Sequence, residues 1–170
     1  MIGSKEELLK KLQGVIQLDS SLSPVKIAKQ TLRDGLIDAL IESYVFSKNG
    51  AFKEGLYHLI GTIAQGFGIY PASIQELYEA RGHGEFSGFT VPAINLRGMT
   101  YDMARAAFRA ALGLNTKALI FEIAKSEMGY TSQKPAEYRT VVLAAAIKEG
   151  YQGPVFIQGD HFQINAKNFA

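Results

Sequence analysis

The sequence predicts an α/β chain: three parallel strands alternating with helices, behind an all-helical first segment. Three observations carry that prediction. Apolar residues recur at helical spacing through the first seventy residues. After Ser73, short apolar runs alternate with capped helical stretches. The runs begin 28 and 36 residues apart, about the size of a βα unit, and right-handed crossovers make such strands parallel.

Each element has a local reason. Ser4 and Glu7 form a capping box before apolar positions Leu8, Leu9, Leu12, Val15 and Ile16, which predicts a first helix. Asp19, Ser20 and Ser21 punctuate it. Ser23 and Pro24 open a second helix, with Pro at its first position, that carries Val25, Ala28, Leu32, Leu36, Leu40 and Tyr44. It stops near Asn49 and Gly50. A third helix runs through Phe52, Leu56, Leu59, Ile60 and Ile63, until Gly66, Gly68 and Pro71 break it. Ser73 and Glu76 cap a short helix to about Arg81, and a flexible connection with Gly82, Gly84 and Gly88 follows. Then come a strand at Phe89–Leu96, a helix at Thr100–Leu112, a strand at Lys117–Ala124, a helix at Pro135–Glu149 and a strand at Gly153–Asp160.

Composition narrows the function. The 18 Lys and Arg against 16 Asp and Glu leave a formal charge of +2, too even for a nucleic-acid surface. The absence of Cys excludes disulfides, zinc ribbons, thiol catalysis and iron–sulfur ligation. The N-terminus lacks the apolar core of a signal peptide. The longest uncharged stretch, Leu59 to Gln75, is shorter than the ~20 apolar residues a bilayer demands. A soluble, cytoplasmic protein with neither nucleic-acid nor membrane partner is expected.

Parallel α/β folds place their sites at the C-terminal ends of strands. Those ends read Asn95, Leu96 and Arg97; then Lys125, Ser126 and Glu127; then Asp160 and His161. Asp160 with His161 is the sharpest signal, since a carboxylate relays protons and a neutral imidazole binds zinc. The plainer reading makes Asp160 a turn cap and His161 a partly exposed loop residue. His58 and His83 read as structural or solvated. Glu122 lies mid-strand between Phe121 and Ile123; a functional carboxylate and a paired structural one are both open. The glycines at 82, 84 and 88 precede a strand, so they make no dinucleotide fingerprint.

Taken in order, the stretches FTVPAINLRGMTYDMARAAFRAA, KALIFEIAKSEMGYT and GPVFIQGDHFQ resemble the class II, zinc-dependent fructose-bisphosphate aldolase family. The likeness covers about residues 73–165. It implies a partial (β/α) TIM-type barrel at 73–170, namely its first three βα units, preceded by a helical extension at 1–72. It implies cleavage of fructose 1,6-bisphosphate, or a related ketose bisphosphate, to dihydroxyacetone phosphate and an aldehyde phosphate. Asp160 is then the catalytic acid/base and His161 the first of three histidine ligands to Zn2+. Asn95 binds substrate near the reacting carbons, and Ser126 helps hold a phosphate, although the turn also aligns on Ala124. The sugar phosphate is the expected partner, with a homo-oligomer as the expected assembly. Asn95, Ser126 and Asp160 are expected to converge on one sheet edge. Two features depart from the family. Gln158 stands where His is common, and residues 1–72 exceed the usual lead-in. With the other zinc histidines expected past Ala170, the 170 residues are expected to be inactive alone, as a piece of a longer enzyme. The alternative is a non-catalytic aldolase-like module that binds a sugar phosphate or serves in interactions.

Overall fold

A computed structural model of the chain describes residues 1–18 and 24–163. Helix α1 (Lys5–Leu12) begins as its capping residues dictate. Ser4 Oγ accepts from the Glu7 N–H at 3.2 Å, and the Glu7 carboxylate accepts from the Gly3 N–H at 2.9 Å. The first bond satisfies one of the amides a helix start leaves orphaned, and the second ties the residue before the cap to the first turn. The apolar pattern extends this helix to Ile16, but the structure ends it at Leu12. Gly14 takes a left-handed φ of 76°, and Ile16 enters a strand.

That strand corrects the expectation of an all-helical first segment. β1 (Ile16–Leu18) and β2 (Pro24–Ile27) form an antiparallel pair with Ile16 opposite Ile27. Pro24 starts a strand rather than a helix, which suits a residue that cannot donate to a ladder. Val25 and Ile27 are β-branched residues that favour the pleated surface. The capping residue Ser23 and the punctuation at Asp19 to Ser21 lie outside the described residues. The second helix starts later, as α2 (Lys29–Thr31). A wide turn at Leu32–Leu36, where Gly35 leaves the helical backbone, connects it to α3 (Ile37–Phe46). Asn49 caps α4 (Gly50–Gly66), its side chain accepting from the Phe52 N–H at 3.1 Å.

The rest of the chain is α/β: β3 (Ile69–Ala72), α5 (Gln75–Gly82), β4 (Ala93–Asn95), α6 (Thr100–Gly113), β5 (Ile120–Ala124), α7 (Lys125–Thr131), α8 (Pro135–Glu149) and β6 (Gly153–Asp160). The four strands β3 to β6 form one parallel sheet in the order β3-β6-β5-β4. The three expected strands are thus adjacent in chain order. The expected strand at Phe89–Leu96 contracts to Ala93–Asn95. β3 is a fourth strand that the sequence reading takes for a helix break. Pro71 sits inside it, and β3 pairs only with β6, an edge position where a missing N–H does least harm.

Register assigns the two faces of the sheet. Ile94, Phe121 and Ile157 align across three strands, and all three belong to the apolar core. One residue further on, Asn95, Glu122 and Gln158 align on the opposite face. Helix α8 covers the apolar face, and every residue from Thr140 to Ile147 is buried. A helix that is apolar all round must be covered all round. The sheet, α6, α3 and α4 do so, and one continuous core runs from Ile2 to Val155.

This packing predicts that Leu56→Ala in α4 and Phe121→Ala in β5 each lower stability by about 2–5 kcal/mol. Both should shift one shared urea transition, followed by circular dichroism. A biphasic curve, with Leu56→Ala moving only one phase, would show that the early helices unfold separately from the sheet.

Candidate functional site

The C-terminal ends of β4, β5 and β6 bring four polar side chains together. Asn95, the last residue of β4, donates from Nδ2 to Asp160 Oδ2 at 3.0 Å. The same nitrogen lies 3.2 and 3.5 Å from the two carboxylate oxygens of Glu127. Arg97, just past β4, donates from Nε to Glu127 Oε1 at 2.6 Å. Glu127 also reaches back to accept the Ala124 N–H at 2.9 Å, capping the first turn of α7 with its own side chain. It is the buried member of the group, its side chain 4 % exposed where that of Arg97 is 63 % exposed. Burial alone raises the Glu127 carboxyl. The Ala124 N–H, the Asn95 amide and the Arg97 guanidinium outweigh it and hold the group below its usual range.

The structure therefore joins Asn95 to Asp160 but leaves Ser126 outside their hydrogen bonds. Ser126 is exposed on the first turn of α7, and its neighbour Glu127 makes the contacts. The expected turn at Ser126 to Gly129 is helix; Glu127 stands among the strand-end residues of the sequence, but that expected turn gave it no role. The available signal was positional: an acid at the third helical position after a strand is where a side chain returns to the N-cap amide.

His161 follows Asp160 with a left-handed φ of 51°. Its ring is 83 % exposed, and its Nε2 stands 3.4 Å from Asp160 Oδ1. The ring of Phe162 packs over Gly159, where a side chain would have to displace it. Glu122 is a paired carboxylate, with Gln158 donating to it across the β5–β6 ladder. His58 and His83 are exposed, the latter beside Glu85.

Zinc finds too few donors here. Among the described residues no group of three His, Asp or Glu side chains is placed to hold a metal. A catalytic zinc takes about three protein ligands, and His161 supplies one. The space between the Asp160 and Glu127 carboxylates, where a cation would sit, is taken by the Asn95 amide. The residues described do not by themselves fit the metal.

A separate cleft of about 660 Å³ opens between α3, α6 and α8, walled by Ile41, Val45, Phe46, Met99, Tyr101 and Val141. The turn after β4 serves both places: Arg97 turns to Glu127, while Gly98 to Thr100 line the cleft. Among the described residues no helix is long and apolar enough to cross a membrane. Comparison with protein-family models, with curated proteins and with solved structures finds no match for this chain.

The depressed Glu127 carboxyl predicts a pH dependence. Its contribution to stability is complete above the usual glutamate range and is lost as pH falls through the lower folded value. The gap in urea midpoint between the wild type and Glu127→Gln should accordingly be widest near neutrality and close toward strongly acid pH. A gap that is constant with pH would show that Glu127 gains nothing from its charge.

Proposed function

We propose that the strand-end cluster is the proton-handling part of a carbon–carbon lyase of the class II aldolase type. Its substrate is fructose 1,6-bisphosphate or a related ketose bisphosphate. On this reading β4, β5 and β6 are the successive parallel strands whose ends carry the site, and the protein acts as a cytoplasmic homo-oligomer. The observation that supports it best is the 3.0 Å bond from Asn95 to Asp160, which ties the ends of the first and third of these strands together. Sites on parallel α/β folds gather at that edge.

The chemistry assigned to this chain is proton transfer. Asp160 accepts the proton of the hydroxyl carried by the far carbon of the bond that breaks, the one that leaves with the aldehyde fragment. That oxygen becomes the aldehyde carbonyl, the electron pair of the carbon–carbon bond stays with the ketone fragment, and that fragment takes up a proton at the same carbon to become dihydroxyacetone phosphate. Asp160 Oδ2 is fixed by Asn95, and among the described residues Oδ1 has the longer approach of His161, which leaves it the freer oxygen. His161 remains the proposed ligand, to be joined by donors beyond those described.

A second reading is a sugar-phosphate-binding module without lyase activity. The observation that favours it is Gln158, engaged with Glu122 where the family commonly has His.

In the full-length background of the longer enzyme expected above, cleavage of fructose 1,6-bisphosphate, followed by a coupled assay for dihydroxyacetone phosphate, separates the two. Asp160→Asn should lower turnover by about 10² to 10⁴ while leaving sugar-phosphate binding by calorimetry largely intact. Binding without cleavage in the wild type would favour the second reading, and near-normal turnover in Asp160→Asn would remove the proton-transfer role. Zinc content after dialysis should fall in His161→Ala, and unchanged content would remove the ligand role.

A further inference from the structure

We infer that Glu127 is a positioning residue that fixes the polarity of the Asn95 amide, so that the strand-end site offers an oxygen acceptor and takes a ligand hydroxyl there. The identity of the ligand rests on the sugar-phosphate reading above; the geometry does not.

Asn95 carries two amide hydrogens on Nδ2 and an acceptor at Oδ1. Nδ2 faces two carboxylates, Asp160 at 3.0 Å and Glu127 at 3.2 Å. An ionised carboxylate only accepts, so a reversed amide would set oxygen against oxygen on both sides. The two neighbours therefore force one orientation, and each takes one hydrogen. Both donors of Asn95 are thereby spent within the protein. Oδ1, turned away from both carboxylates, is the atom left for a ligand, and its partner must be a donor. A sugar hydroxyl meets that requirement, whereas a phosphate oxygen or a ketone oxygen does not.

Glu127 is the member able to enforce this. Asp160 lies at a strand end beside an exposed His161 and is itself assigned to proton transfer. Glu127 is buried and held from three directions, by the Ala124 N–H, by Arg97 and by Asn95. Glutamine at 127 would put a donor where one of these three donors now points. The cluster would then lose at least one bond, and Asn95 would be free to turn.

The test uses the full chain labelled with ¹⁵N. The Asn95 side-chain amide pair is assigned by its absence in Asn95→Ala. Two well-separated protons, protected from solvent exchange, are expected in the wild type, with protection lost in Glu127→Gln. A rapidly exchanging pair in the wild type, or one unchanged in Glu127→Gln, overturns the inference. A second comparison holds even where Glu127→Gln folds poorly. Asn95→Asp places a third carboxylate oxygen against the other two, so its urea midpoint at neutral pH should lie below that of Asn95→Ala; an equal or higher midpoint overturns the orientation.

With fructose 1,6-bisphosphate as probe, Glu127→Gln should raise KM about tenfold, the worth of one hydrogen bond, with a smaller change in kcat. Should the protein neither bind nor cleave this sugar while the amide results hold, the lyase reading fails and the positioning role stands. Should it cleave the sugar while Glu127→Gln leaves both the amide pair and KM unchanged, the positioning role fails and the lyase reading stands.

Discussion

Helix α8 is the constraint on which the rest of the structure depends. Its run Val141 to Ile147 has no polar side chain to turn toward water, so it needs cover on every side. A parallel sheet supplies one side through Phe121, Ile123 and Val155. The other sides come from α6 and from the early helices α3 and α4. At about 25 cal/mol per Å² of apolar surface, exposing even half of such a helix would exceed the few kcal/mol by which a domain of this size is stable. The first seventy residues are thus part of the same core as the sheet. Polar ties fix their registry: Arg33 donates to the Ile147 carbonyl at 2.8 Å, and Lys148 bonds Asp38 at 2.6 Å.

Burying α8 also places the strand-end cluster. Tyr138, in the first turn of α8, donates to the backbone carbonyl of Glu122 at 2.7 Å and so binds the helix start to the middle of β5. Only α7 and a short turn separate β5 from α8, which forces α7 to start directly at the strand end. Glu127, one turn in, has no route to solvent and must find partners inside. The Arg97–Glu127 pair illustrates how environment sets the value of a contact. On the Arg97 side it is a surface ion pair worth little. On the Glu127 side, loss of partners would leave a buried charge uncompensated, the costly case.

The parts legible in the sequence were those whose cause is local. The capping box at Ser4 and Glu7, Asn49 before α4, Pro135 at the start of α8 and Gly150 at its end, with φ of 78°, act over one or two turns. Lys117–Ala124 and Gly153–Asp160 read as strands because they are compact apolar runs, though the first pairs only from Ile120. What was missed depends on distant partners. Pro71 looks like a breaker until β6 lies beside it, and Pro24 like a helix start until β1 does. Phe89–Leu96 is apolar enough for a long strand, yet β5 offers partners only to Ala93–Asn95. In the site, Asn95 and Asp160 were legible as strand-end residues. Glu127 was legible as a strand-end residue too, but not its role, which comes from a helix that the Gly129-containing segment disguised as a turn.

The uncovered polar row has a consequence for charge. Parallel sheets are normally apolar on both faces, yet Asn95, Glu122 and Gln158 align on one face of this one. Glu122, Glu127 and Asp160 bring three formal negative charges to this end of the sheet, and the bonded Arg97 returns one. A phosphate moved close to that row would meet repulsion from every carboxylate not already neutralised. Hydroxyl groups would not, since carboxylates and the Asn95 oxygen all accept from them. A sugar phosphate entering here would accordingly lay its hydroxyls along the row and keep its phosphates at the rim. There Ser126 is exposed, the Arg97 guanidinium reaches water and solvent screens the charge. The same arrangement of charges separates where the two ends of a sugar phosphate would lie.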